Sequence, residues 1–264
     1  ATITGPGSGS AFPVNAVVSF TGTWTDANGG AHTARWTFDG VPDAPFPAGT
    51  GTSGSANTSH TFTIAGVYMV SLTVTDACDS AGTANQVGGV DAMVVIYDPN
   101  AGFVTGGGWI NSPAGAYTAN PLLEGKANFG FVSKYKKGAS VPTGETEFQY
   151  KVGNLNFHST SYQWLVVAGA KAQFKGSGTI NGAGSYGFML TATDGEISGG
   201  GDPDKFRMKI TGSGGGLVYD NQLNAPDSDD PTTVLGGGSI VIHKGGNSAS
   251  ANAGGSRDQE GGDL

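Results

Sequence analysis

A chain of 264 residues has room for two ordinary domains with a core each, yet glycine fills 47 of its positions and charged residues make up only 13%. Glycine so far above its usual share of ~7%, beside abundant serine and threonine, excludes long helices and favours short strands joined by tight turns. The net charge of −8 excludes a nucleic-acid partner, because no segment is basic enough to neutralise a phosphate backbone.

The charge is unevenly placed. Residues 1–100 hold one base, Arg35, against seven aspartates, whereas 101–244 are balanced. Cys78 is the only cysteine, so no internal disulfide can form, and its expected role is that of a small buried residue. The longest apolar run, Trp164 to Ala168, falls far short of the ~20 residues a helix needs to cross a bilayer. The opening Ala1-Thr2-Ile3-Thr4 reads as a mature end left by leader removal, consistent with export.

In chain order, Val18, Phe20 and Trp24 alternate on an early strand, and Trp36 and Phe38 form another that runs into Asp39-Gly40. Residues 41–59 read as a loop, too rich in Pro, Gly, Ser and Ala for a core strand. Phe62 and Ile64 follow, and a turn at Ala65-Gly66 leads into Tyr68, Val70, Leu72 and Val74, which alternate with Met69, Ser71, Thr73 and Thr75. A period of two gives one bulky and one largely hydroxyl face, a half-buried antiparallel strand. Met93 to Tyr97 closes this first domain, 1–97, and Asp98-Pro99-Asn100 is a linker (98–100).

The second domain, 101–244, is also strand-dominated. Phe129, Phe131, Phe148 and Tyr150 sit at even spacing, and Tyr162 to Val167 is bulky on both faces, as in a central strand. Lys205-Phe206-Arg207-Met208-Lys209-Ile210 alternates cationic with apolar residues, predicting a strand with one solvated, charged face. Residues 245–264 form a Gly/Ser/Asn-rich tail that cannot repay the entropy of ordering alone, so we expect a neighbouring molecule to hold it.

The segment His60 to Asp76, His-Thr-Phe…Gly-Val-Tyr-Met-Val-Ser-Leu-Thr-Val-Thr-Asp, together with Trp36-Thr-Phe-Asp-Gly40, resembles the PKD domain, an immunoglobulin-like sandwich. Three blocks farther on, Gly102 to Ile110, Gly125 to Ser133 and Gly236 to Lys244, resemble the post-COAP module, a β-rich C-terminal unit that follows such repeats in secreted bacterial proteins. The two likenesses imply an all-β, two-domain extracellular chain: an N-terminal immunoglobulin-like β-sandwich plus a second β-sandwich or β-rich domain.

Chemical motifs are sparse. No Gly-x-Ser-x-Gly elbow or His-Glu-x-x-His helix occurs, and the four histidines stand singly. His60 falls where an imidazole ties a turn to the sandwich, and His158 reads as a turn residue. Glu145 with Glu147, and Asp202 with Asp204, share a face if extended, a spacing glycosidases use across a cleft but one that recurs in any acidic loop. Calcium is the candidate metal, since it takes oxygen ligands: Asp202 and Asp204 lie on a glycine-flexible loop, and the PKD resemblance places Asp26 and Asp39 in calcium-binding loops. Trp109 and Tyr117 are candidate sugar-stacking platforms. Lys205, Arg207 and Lys209 are a candidate docking row for the acidic first domain of another copy. These readings describe a non-catalytic, secreted structural or adhesive protein, a subunit of a surface assembly or filament. It would contact other copies or a surface protein or polysaccharide. The alternative is a carbohydrate-binding accessory module.

Overall fold

The computed structural model describes residues 1–136 and 138–245, and among these the chain is almost wholly strand, with one 3-10 turn at Lys151–Gly153. The first half contains β1 (Thr2–Gly5), β2 (Ser10–Pro13), β3 (Val17–Thr25), β4 (Ala31–Phe38), β5 (Val41–Pro42), β6 (Phe46–Thr50) and β7 (Ser53–Ser55). They are followed by β8 (Thr58–Thr61), β9 (Gly66–Asp76), β10 (Ala81–Ala84), β11 (Gln86–Val87), β12 (Val90–Asp91) and β13 (Met93–Tyr97). One sheet runs β1-β3-β7 with β8 also on β3; the facing sheet runs β2-β13-β9-β4-β5 with β10 on β9 and β6 on β4.

Period-two alternation supplies the core between these sheets. Val18, Phe20 and Trp24 of β3 meet Ala34, Trp36 and Phe38 of β4 and Val70, Leu72 and Val74 of β9, all buried. Both indoles find acceptors: Trp24 Nε1 donates to the Ala48 carbonyl at 3.1 Å and Trp36 Nε1 to that of Ala56 at 3.0 Å. His60 bonds Asp43 at 3.0 Å, tying the 41–45 turn to β8. β2 and β13 run parallel, pairing Ser10–Pro13 with Val94–Tyr97.

Three expectations fail here. Residues 41–59 do form strands, but short ones at sheet edges, where Pro42 and Pro47 cost no ladder bond. Ile64 is exposed, because the chain turns before it can follow Phe62 inward. Cys78 is exposed as well: it sits in a turn whose form is set by Asp76, which accepts N–H bonds from Cys78 and Ser80.

The second half contains β14 (Gly102–Ser112), β15 (Gly125–Lys134), β16 (Thr143–Tyr150), β17 (Leu155–Ala168), β18 (Lys171–Ile180), β19 (Ala183–Thr193), β20 (Lys205–Gly212), β21 (Leu217–Asp220) and β22 (Gly237–Lys244). They make a single antiparallel sheet in the order β21-β20-β19-β18-β17-β16-β15-β14-β22. This sheet rolls over on itself: Phe129 of β15 stacks on Phe206 of β20 at 4.1 Å, and Phe148 of β16 meets Tyr219 of β21 at 4.8 Å. Its interior is largely aromatic. Gly106 is required inside β14, since a Cβ there would stand 2.5 Å from the Phe131 ring.

Two carboxylates close the roll. β22 is an edge strand, and its N–H groups at Ile240 and Ile242 face away from β14. Asp204 accepts from Ile240 at 2.7 Å and from Gly195 at 2.6 Å, while buried Asp194 accepts from Ile242 at 2.9 Å. Backbone bonds from Phe206 to Thr233 and from Leu235 to Asp204 complete the seam.

The halves share a small apolar core. Val95 and Tyr97 of β13 pack on Trp164 and Val166 of β17 and Met189 of β19. Tyr135 stacks on Tyr97 at 5.2 Å, and its hydroxyl donates to the Leu165 carbonyl and accepts from the Leu165 N–H. Trp164 and Val166 lie on the outer face of the roll, so Tyr162–Val167 is central and buried on both sides, as its sequence predicts.

Asp204→Ala strands two backbone donors, and we expect a loss of about 3 kcal/mol in urea unfolding at unchanged m-value. Burial raises the ionisation of Tyr135 and Tyr219 above the ordinary phenol value. A raised native value means that the unfolded chain releases the proton first. Stability is therefore full below the unfolded tyrosine pKa and should fall as pH rises above about 10, less steeply in Tyr135→Phe.

Candidate functional site

The cationic row of β20 does not face solvent. Arg207 is 0% exposed; its Nε and Nη2 donate to the two oxygens of Asp220 at 3.0 and 2.8 Å, and its remaining N–H groups reach the carbonyls of Pro226 and Ala225. Lys209 pairs with Asp227 at 2.6 Å, and on β18 Lys171 pairs with Asp230 at 2.6 Å. Buried Gln173 donates to the Asp227 carbonyl at 2.6 Å. The row thus fastens a strap of its own chain, residues 221–231, across β18–β20. Arg207 is no docking residue, Lys209 is engaged, and Lys205 is half-buried. Alternation identified the face but not its cover. Arg207→Met should cost 3–5 kcal/mol, about the range for leaving a buried partner charge alone, whereas Lys205→Met should cost under about 1 kcal/mol. Urea midpoints of the two variants provide the comparison.

The aspartates singled out for calcium do not converge. Asp26 lies before β4 and Asp39 after it, so eight strand residues, roughly 25 Å, separate them. Asp26 is bonded to His32 at 3.0 Å, and the Asn28 N–H, then His32, hold its carboxyl below the ordinary value. Asp39, at φ 49°, accepts the Met69 N–H at 2.7 Å and fixes its turn. Asp204 has both oxygens committed to the seam, and Asp202 is exposed beside it. These four residues build no shared cation site.

Neither aromatic platform is open. Trp109 is half-buried: the Gly236–Gly237 backbone crowds its ring so closely that a Cβ on Gly236 would stand 2.1 Å away, and the Lys126 ammonium sits 4.5 Å from its centroid. Tyr117 packs against the aromatic interior, edge-on to Tyr150.

What the fold does bring together is Glu145, Glu147 and His158. Register pairs Glu147 with His158 across β16 and β17, Glu145 lies two residues along on the same face, and one donor atom from each falls within 4.8 Å of the others. Glu147 and His158 are in hydrogen-bond contact. Two carboxylates and an imidazole suit a divalent transition ion better than calcium. The cluster sits on the outer face of the roll, with both acids on one strand, so it lacks the facing carboxylates of a glycosidase cleft. The hairpin turn at Lys151–Asn154 sets the register that joins His158 to Glu147, and the left-handed Asn154 (φ 47°) was the available signal.

Three exposed apolar side chains of the second half lie on neighbouring loops, while Val141, Val234 and Val241 are exposed elsewhere on it. Leu122 (88% exposed), Val152 (53%) and Leu223 (44%) project from the loops after β14, β16 and β21. These loops adjoin: Gly125 lies under Val152 and Gly115 under Leu223. This is the end opposite Trp164 and Val166, where the first half packs.

Residues 6–91 match the family model of the PKD domain. No curated protein matches the chain. The PKD segment holds β2 to β12 and contains both motifs, Trp36–Gly40 and His60–Asp76, that carry the likeness in the sequence. PKD domains are non-catalytic immunoglobulin-like modules, usually found in extracellular proteins, where they typically make protein–protein contacts. Among the described residues no helix is long and apolar enough to cross a membrane.

Proposed function

We propose that this chain is a non-catalytic extracellular contact module, a structural or adhesive subunit that associates with copies of itself. In this reading residues 1–97 form the PKD domain, 98–100 the linker and 101–244 a β-rich domain of post-COAP type. The observation that carries it is the apolar tip of Leu122, Val152 and Leu223. Exposed apolar side chains on neighbouring loops favour contact sites, and these loops lie at the end of the roll away from the PKD contact. The PKD match supports it, since such domains serve extracellular contacts. The expected role of the tail in threading onto a neighbour falls on 246–264, outside the described residues, and stays part of the proposal.

Light scattering over a concentration series tests it. The full chain should associate, and Leu122→Asp with Val152→Ser should weaken association about tenfold or more at an unchanged unfolding midpoint. A truncation after Lys244 should assemble less while still folding. A full chain that stays monomeric throughout, or a tip variant that associates like the parent, would overturn the reading.

A further inference from the structure

A cleft of about 450 Å³ lies between the PKD domain and the rolled sheet. Its floor is a row of side chains on four adjacent strands: Trp164 pairs with Lys175, Lys175 with Met189, and Met189 with Lys209. Its roof comes from the PKD side and includes Gln86, Asp91 and Met93. Clefts of this size at domain junctions are common sites for small ligands.

Two donors on the floor have no acceptor among the described residues. Trp164 is 3% exposed, and its Nε1–H is buried without a partner. A buried donor in that condition destabilises the fold until something accepts from it. Next to it, Lys175 makes no ion pair among the described residues, although Lys171 and Lys209 on the same face both do. Its ammonium rests against Gly9, 3.7 Å from where a Cβ would stand. Paired floor donors without an acceptor call for an anion's oxygens, and a carboxylate fits an indole N–H beside an ammonium. The opposite wall offers Asp91 and Gln86, which accept from hydroxyls. Met93 and Met189 give flexible apolar sides, and contact with the buried indole nitrogen requires one of them to move.

We propose that this cleft binds a hydroxylated carboxylate of monosaccharide size, a hexuronic acid, with the carboxylate on Trp164 Nε1 and Lys175 Nζ and the hydroxyls on Asp91 and Gln86. The site is independent of the apolar tip at the other end of the molecule.

Titration calorimetry of the full chain with glucuronate, glucose and glutamate tests it, alongside ¹H–¹⁵N spectra of the indole groups. Glucuronate should bind and shift the Trp164 indole resonance, which Trp164→Phe identifies by its disappearance. Glucose should bind about tenfold more weakly, for lack of the charge-assisted bonds. Lys175→Met should weaken glucuronate about tenfold while leaving the unfolding midpoint in place. Failure of glucuronate to bind, equal binding of glucose, tighter binding of glutamate, or indifference to Lys175→Met would each overturn the proposal. Lys175 makes no ion pair among the described residues, so the variant is expected to fold as the parent does, and the unfolding midpoint checks this.

Discussion

Two aspartates hold the second half closed. Asp194 and Asp204 stand at the ends of the loop between β19 and β20, and their carboxylates collect the outward N–H groups of β22 at the other margin of the sheet. An open edge would leave those donors as a template for another chain. Carboxylates serve because each can accept two bonds while the margins stay too far apart for a full ladder. With the seam shut, rings from β15 and β16 face those from β20 and β21, and the interior fills. The outer face is then free to carry the strap, the PKD contact and the cleft.

Charge is used inward. The strap 221–231 is held by Lys171, Arg207 and Lys209, each matched to an acid or a carbonyl, and Gln173 joins them. A buried Arg–Asp pair carries desolvation costs that the two extra carbonyls help to offset. Three of the eleven bases of the second half are therefore spent on its own architecture. Lys175, between Lys171 and Lys209 on the same face, makes no such pair among the described residues, and it lies where the PKD domain meets the roll.

Alternation made the first core readable: Trp36, Phe38 and the Val70–Val74 row each needed only a period of two and a turn signal to be placed. The same rule misread Arg207, because period places a side chain on a face without saying what covers it. The strap that covers it begins only after the intervening β21. Glu147 and His158 went unjoined for a related reason, since register depends on how one turn is wound. Asp26 and Asp39 lie apart because similarity to a motif does not measure the length of the strand between its ends.

The parallel pairing of β2 with β13 gives the PKD domain a mechanical character. The chain runs through β1 into β2 and leaves through β13 toward the second half, so tension that reaches β2 drags these two strands in opposite senses along their shared ladder. The pairs from Ser10–Val94 to Pro13–Tyr97 then bear the load together and must rupture as a group. Such an arrangement resists stretching far better than one that unzips a bond at a time.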